Sequence, residues 1–337
     1  MSRKVFTADE ILTAEDVNSF LMDQTVMSFA GTAARGSAIP IPVEGMVTYL
    51  EDSNSLQLWD GSRWATSSGV SNGNAIINGA FEINQRGYVS AANLASGAYG
   101  FDRWKSTFTN TTLTYTSAPQ GQLVTINSGG SIEQVIERAN LPAGTYTLSW
   151  QGTATGRIYN TGATPPSYAA SPITVTLDGL ANVEVEFTAS GGTRTCGFVQ
   201  LEQGTVANPF RRNAETLQGE LAACQRYYVR FNQNAQSDVR FGMGVLTNTN
   251  QGIIYITLPV TMRTAPSSVD FTGSFELTDD YSAGGPVSVI TITANRSNDS
   301  YVALTVGTST SPLTIGRAGF IRANSSTSAR IGLSAEL

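Results

Sequence analysis

Short runs of β-forming residues, each bounded by glycine, asparagine, serine or proline, recur along most of this 337-residue chain. They lie at 113–116, 123–126, 146–150, 173–177, 183–187, 196–201, 239–245, 253–258, 287–292, 301–306 and 319–322. Short strands with turn signals at near-regular spacing are typical of β-sandwiches and jelly rolls. Because 41% of the residues are hydrophobic, enough for packed cores, the sequence predicts an ordered, mainly-β protein.

Changes in composition along the chain predict five segments. They are a small N-terminal module at 1–66, a Ser/Gly/Asn-rich linker at 67–74, a β-sandwich jelly roll at 75–213, a linker helix at 214–228 and a second β-sandwich at 229–337. The helix is predicted because Leu217, Leu221 and Cys224 are spaced four and three residues apart, which places them on one face.

The N-terminal module carries more apolar surface than a chain of its size buries alone. Three apolar residues at i, i+3 and i+4 follow a capping-box-like sequence and predict a short helix with one apolar face. Residues 45–64 alternate strand-like runs with turns and predict a β-meander. One interpretation is a flexible leader with a hairpin. The other, which we favour, is an assembly module whose contacts between copies are Val17, Phe20, Leu21, Trp59 and Trp64.

Several classes of function are excluded by residues that the chain lacks. Without histidine there is no Ser-His-Asp or Cys-His nucleophile and no imidazole-ligated metal. Cys196 and Cys224 are too few for a disulfide scaffold, and whether they pair stays open. A net charge of −6 argues against nucleic-acid binding, and no apolar run reaches the ~18–20 residues of a membrane span. The N-terminus lacks a signal peptide's apolar stretch, so export by the ordinary secretory route is not expected.

Several motifs, taken in order, resemble tailed-phage proteins. Asn78-Gly-Ala-Phe-Glu-Ile-Asn-Gln-Arg-Gly87 and Asp102-Arg-Trp104 resemble the opening of jelly-roll modules in phage fibre and minor tail proteins, modules that are similar to carbohydrate-binding modules. Residues 199–212 resemble the end of such modules, residues 221–228 the helix after them, and residues 258–266 the distal domain. Residues 12–22 and 59–64 resemble the leader of minor tail proteins in phages of actinobacteria.

This resemblance implies a tail-fibre or tail-tip receptor-binding protein. It implies a homotrimer that contacts host-surface glycan. If residues 1–66 hold the trimer to other tail or baseplate proteins, the distal domain at 229–337 is farthest from the virion and is expected to meet host cell-wall polysaccharide first. The alternative is that the jelly roll is the receptor domain. The protein would be made in the host cytoplasm, assembled into the virion tail and become extracellular on release. No catalytic residue, nucleic-acid partner or membrane insertion is expected.

Candidate sugar-binding residues lie in loops, where binding residues concentrate. Tyr159 and Tyr168 flank a Gly/Pro-rich loop of the predicted jelly roll. In the distal domain the candidates are Asp279, Asp280, Tyr281, Arg296, Asp299 and Tyr301. Adjacent side chains on an extended segment point to opposite sides, so Asp279 and Asp280 make a poor acid–base pair.

Two further assignments concern the predicted jelly roll. Carbohydrate-binding modules of this shape often contain a structural calcium, for which Glu82 and Asp102 are candidate ligands; no other cofactor is expected. Trp104 and Trp150 lie in strand-like runs with apolar neighbours and are predicted as core residues rather than sugar platforms.

Three functions are compatible with these observations. The first is a non-enzymatic adhesin that binds host-surface glycan. The second is a tail-associated glycan depolymerase, although the short repeats of a parallel β-helix are absent from the sequence. The third is a structural spacer without receptor contact.

Overall fold

The computed structural model describes residues 11, 13–14, 26–53, 55–66, 73–116, 121–279, 284–310 and 312–337. The chain separates into an N-terminal unit, residues 1–71, and a C-terminal unit, residues 72–337. The prediction of a mainly-β protein is confirmed, since β-sheets build both units. Among the described helices, none has the length and apolar character needed to cross a membrane.

The N-terminal unit contains one four-stranded sheet and a helix. The strands are β1 Met27–Phe29, β2 Val47–Leu50, β3 Ser55–Trp59 and β4 Trp64–Thr66, in the order β1-β2-β3-β4, and helix α1 is Thr32–Ala38. Strands β2 to β4 are antiparallel and form the predicted meander, whereas β1 pairs parallel to β2. Arg35 of α1 is buried and donates hydrogen bonds to Thr48 and Gln57, so the helix lies against one face of the sheet.

The first part of the C-terminal unit is a two-sheet sandwich. Its strands are β5 Asn93–Leu94, β6 Lys105–Ser106, β7 Thr111–Thr114, β8 Val124–Ile126, β9 Ser131–Ile136, β10 Gly144–Gly152, β11 Thr155–Asn160, β12 Ile173–Leu177, β13 Val183–Thr188 and β14 Arg194–Gln203. Six strands form the sheet β12-β10-β14-β8-β7-β5, and four form the sheet β11-β13-β9-β6. Trp104 and Trp150 pack in the core on either side of Phe187, at ring-centroid distances of 5.9 and 4.9 Å, as predicted for core residues.

Helix α2 follows the sandwich at Leu217–Gln225 and is shorter than predicted. Its N-cap is Thr216, whose hydroxyl accepts a hydrogen bond from the Gly219 amide, and the preceding residue Glu215 has a left-handed φ of 59°. The helix ends before Tyr228 because that residue enters an antiparallel ladder instead. Cys224 is fully buried on the helix and Cys196 in the sandwich core, and both are free thiols.

The distal part was predicted as a second sandwich, but six of its strands close into a barrel. The strands are β15 Tyr228–Phe231, β16 Arg240–Asn248, β17 Gln251–Thr257, β18 Ser268–Thr272, β19 Phe275–Thr278, β20 Gly284–Ile292, β21 Tyr301–Thr308, β22 Ala318–Ala323 and β23 Arg330–Ser334. The barrel order is β16-β17-β21-β20-β19-β22, and β15-β23-β18 form a separate sheet. Gly244 and Gly319 pair across the β16–β22 seam, where a side chain on Gly319 would meet Leu246 in the barrel interior. Glycine at such a seam permits the strand bending that closure requires.

Buried charges join the sandwich to the distal part. The Arg103 guanidinium lies 3.6 Å from the Tyr227 ring centroid, and the Arg86 guanidinium lies 3.7 Å from the Tyr228 centroid. Both arginines also bond to Glu336. The motif residues at 86, 102–104 and 227–228 therefore occupy core and junction positions rather than an open surface.

Candidate carbohydrate-binding surface

The outward face of the sheet β11-β13-β9-β6 carries a row of charged side chains. Strand register places Arg157 opposite Glu186, Glu186 opposite Glu133 and Glu133 opposite Lys105. The alternate residues of these strands, among them Ile158, Val185, Phe187 and Ile132, point into the sandwich core. Because successive side chains of a strand point to opposite faces, the charged row is the outer surface of this sheet.

Two tyrosines complete this surface. Tyr159 lies on β11, where its hydroxyl bonds to Glu184, and Tyr168 lies on the following loop, where its hydroxyl bonds to Glu186. The loop is held to β11 by two hydrogen bonds between Gly156 and Ala169. We define the Arg157 cluster as Lys105, Glu133, Arg157, Tyr159, Tyr168, Glu184 and Glu186.

Arg157 and Glu186 are the centre of this cluster. Arg157 Nε donates to Glu186 Oε2 at 2.7 Å, and Ser131 Oγ and Thr107 Oγ1 donate to Glu186 Oε1 at 2.7 and 3.1 Å. The Arg157 guanidinium lies 4.2 Å from the Tyr168 ring centroid and 5.4 Å from that of Tyr159, within cation–π range. Arg157 therefore holds the two rings on one surface.

Burial and hydrogen bonding shift the pKa values of the two central glutamates in opposite directions. Burial raises the pKa of the Glu133 carboxyl, and the Lys105 ammonium 3.1 Å away opposes this only in part. Burial also acts to raise the pKa of Glu186, but hydrogen bonds from Tyr168, Ser131 and Arg157 outweigh it and lower the pKa. Burial is the largest cause of the raised pKa values of Tyr159 and Tyr168, so both hydroxyls stay protonated at neutral pH.

The carboxylate at the centre of the cluster is engaged by protein groups. The Glu186 side chain is 3% exposed, and its carboxylate oxygens are already bonded to Arg157, Ser131, Thr107 and Tyr168. A glycosidase nucleophile or base must reach the sugar with a free oxygen lone pair. With two cations and three carboxylates, the cluster has a small net charge, which suits an uncharged ligand.

The sequence indicated Tyr159 and Tyr168 but missed the charged members of the cluster. Val183-Glu-Val-Glu-Phe187 alternates apolar and acidic residues, a signal that two glutamates share the outer face of one strand. Nothing in the sequence placed Arg157 opposite Glu186, which lies 29 positions further along the chain.

Glu82 and Asp102, the candidate calcium ligands, each bond to a protein partner. Arg212 forms two hydrogen bonds of 2.6 Å to the Glu82 carboxylate. Asp102 accepts hydrogen bonds from the backbone amide and side-chain amide of Gln85, at 2.6 and 2.9 Å. No group of three or more His, Cys, Asp or Glu side chains that could hold a metal occurs among the described residues. The structure thus does not assemble these two carboxylates into a calcium site.

The other predicted residues divide into three groups. Asp280, Tyr281, Val17, Phe20 and Leu21 lie outside the described residues. Asp279 forms an ion pair with Arg317 at 2.7 Å, and its side chain is 2% exposed, which leaves it a poor contact for a sugar. Arg296, Asp299 and Tyr301 lie in and beside one exposed turn, next to Tyr255, which the sequence did not indicate.

The two tryptophans predicted to contact other copies already have partners within the N-terminal unit. The rings of Trp59 and Trp64 meet edge to face at 5.4 Å. The Arg35 guanidinium lies 4.2 Å from the Trp64 centroid. Among the described residues of this sheet, the exposed apolar side chains are instead Leu56 and Leu58. They point to the face of the sheet opposite to that of Gln57, which bonds to Arg35.

No family model matches the chain, and no curated protein matches its sequence. A Paenibacillus sp. cycloisomaltooligosaccharide glucanotransferase, solved with cycloisomaltoheptaose, is 10% identical at a TM-score of 0.18, and the match covers 71% of this chain and 46% of the enzyme. This chain thus spans about half the length of that enzyme. Discoidin II from Dictyostelium discoideum is 8% identical at a TM-score of 0.16, with 79% of this chain and 93% of discoidin covered.

Proposed function

We propose that this protein is a non-enzymatic adhesin of a tailed-phage virion, a tail-fibre or tail-tip protein that binds host-surface glycan through the Arg157 cluster. The observation that carries the binding proposal is the placement of Tyr159 and Tyr168 within cation–π distance of Arg157, on the outer face of a jelly-roll-like sandwich. The assignment to a phage tail is supported by the motif resemblance across most of the chain.

The chemistry of the cluster matches a neutral sugar. A pyranose presents flat C–H faces that pack on aromatic rings and hydroxyls that hydrogen-bond to charged groups. The hydrogen bonds of Arg157 and Tyr168 to Glu186, and of Tyr159 to Glu184, hold the rings before a ligand arrives, which lowers the entropy cost of binding.

Binding of the purified full-length protein to intact candidate host cells, with reducing sugar ends assayed in the same tube, tests this proposal. We expect the protein to sediment with cells without releasing reducing ends. Tyr168→Ala should weaken binding, because it removes a ring, whereas Leu180→Ala, a change at a 74% exposed apolar residue of the same sandwich, should not.

Three results would contradict the proposal. Sugar release that is lost in Glu186→Gln would identify a depolymerase. Full binding by both Tyr159→Ala and Tyr168→Ala would show that the Arg157 cluster is not the glycan-binding site. Absence of binding to every candidate host would favour a structural spacer.

A further inference from the structure

Tyr255 and Tyr301 form an aromatic pair on the outside of the distal barrel. Tyr255 lies opposite Ala303 and Thr257 opposite Tyr301 in the β17–β21 ladder, so the two rings are diagonal neighbours on one face. Their ring centroids are 6.2 Å apart with planes inclined at 55°. The residues between them on the same strands, Ile256 and Val302, are buried in the barrel, which confirms that the tyrosines point outward.

These two rings are open to solvent. Tyr255 is 40% and Tyr301 39% exposed, and no other described tyrosine is as exposed. Neither hydroxyl bonds to another group in the part of the chain that the structure describes. Buried tyrosines such as Tyr88 and Tyr146, by contrast, donate to backbone carbonyls. The hydroxyls and the exposed part of each ring are therefore available to a ligand.

The turn beside Tyr301 is rigidly anchored. Asn298 Oδ1 accepts hydrogen bonds from the backbone amides of Ser300 and Tyr301, at 2.8 and 2.9 Å. Backbone amides of Leu258 and Met262, just beyond β17, donate to the carbonyls of Ser300 and Asp299. The side chains of Asn298 and Asp299 are exposed beside the rings and provide amide and carboxylate groups.

We infer that Tyr255 and Tyr301, with the Asn298–Asp299 turn, form a second sugar-binding platform, separate from the Arg157 cluster, that takes an uncharged pyranose chain. The apolar face of a pyranose matches the size of one tyrosine ring, and the neighbouring amide and carboxylate satisfy sugar hydroxyls. Arg296 and Asp299 bring one positive and one negative charge to the turn, so the platform attracts neither polyanions nor polycations.

A second copy of the chain fits this patch less well than a sugar does. Met243 and Val245 extend the exposed apolar surface along β16. On the other side of the tyrosine pair, beyond Tyr301, the surface is formed by the polar Asn298–Asp299 turn. A stable protein interface buries about 800 Å² on each partner, far more than two rings and two aliphatic side chains provide. Rigid, hydroxyl-bearing rings beside an anchored polar turn suit a small polar ligand.

Saturation-transfer NMR on the full-length Tyr168→Ala protein, with maltohexaose, cellohexaose, mannohexaose and chitohexaose as probes, tests the inference apart from the Arg157 cluster. At least one hexasaccharide should bind. Tyr255→Ala and Tyr301→Ala should each weaken its binding by roughly three- to tenfold, the range expected for one aromatic contact. Tyr255→Phe, which keeps the ring, and Val245→Ala, on the same barrel face, should bind as before.

The inference fails if no probe binds, or if the two alanine variants bind as well as their parent. It also fails if Tyr255→Ala leaves sugar binding intact but reduces the molecular mass found by light scattering, because the patch would then be an interface between copies. Weaker cell binding by Tyr168→Ala than by the unchanged chain would support the Arg157 cluster, whereas a probe that binds Tyr168→Ala and is lost on adding Tyr255→Ala or Tyr301→Ala would support this platform.

Discussion

At the scale of single residues, Glu186 organises the Arg157 cluster without being free to react. It bonds to Arg157 and Tyr168 and receives two further hydroxyl hydrogen bonds, from Ser131 and Thr107. Glu186→Gln should destabilise the protein by about 1–3 kcal/mol, the cost of weakened buried hydrogen bonds. It should also weaken glycan binding, because Tyr168 loses its charged partner. Denaturant unfolding and cell binding measure both, and Glu215→Gln, at an exposed glutamate, is the control.

A second residue-scale prediction concerns Asp102 and pH. Burial, opposed in part by Arg86 and Gln85, raises the pKa of Asp102 to about 6. The folded protein therefore binds a proton on the Asp102 carboxyl more tightly than the unfolded chain does. The stability that this protonation contributes is lost as pH rises from about 4 through 6. Asp102→Asn carries no charge, so its stability relative to wild type should increase by roughly 3 kcal/mol across this interval. Urea unfolding of both proteins at pH 4 and pH 7.5 checks this; a difference that does not change with pH would contradict it.

At the scale of elements, helix α2 depends on one hydroxyl at its start. Thr216 Oγ1 accepts from the Gly219 amide at 3.0 Å, whereas Asn213, which also precedes the helix, donates instead to the Asn74 carbonyl. Thr216→Ala should cost about 1 kcal/mol of folding free energy, and Thr216→Ser, which keeps the hydroxyl, should cost less. Thermal melts of the two variants measure this. Equal melting temperatures would show that packing of α2, not its cap, determines its stability.

At the scale of the whole molecule, the described part of the N-terminal unit has a small apolar core. In its described part only Met46 and Leu50 are buried apolar residues, while Leu56 and Leu58 are exposed. A unit of 71 residues is marginal by its size, and association between copies would stabilise it. We expect full-length protein to scatter light as a species of about three times 35.7 kDa, the number three coming from the family resemblance. Leu56→Ser with Leu58→Ser should reduce that mass.

The same reasoning predicts the behaviour of the C-terminal unit. Because it holds the large cores around Trp104 and Leu304, residues 72–337 should fold without the N-terminal unit and melt within a few degrees of full-length protein. The fragment should bind cells more weakly, since multivalent engagement would be lost. If dense display on beads did not improve cell binding by the fragment over that of the free fragment, glycan recognition would lie outside the C-terminal unit.

The sequence by itself determined the mainly-β fold, the core positions of Trp104 and Trp150, and the surface position of Tyr159 and Tyr168. These follow from local patterns, because period-2 alternation and turn residues act over a few neighbouring positions. Tertiary structure alone decided that the distal strands close into a barrel, that Glu82 and Asp102 bond to Arg212 and Gln85, and that Tyr255 lies beside Tyr301. These depend on which strands pair and in what register. Residues 17 to 130 positions apart meet only after the chain has folded, and no local pattern encodes that pairing.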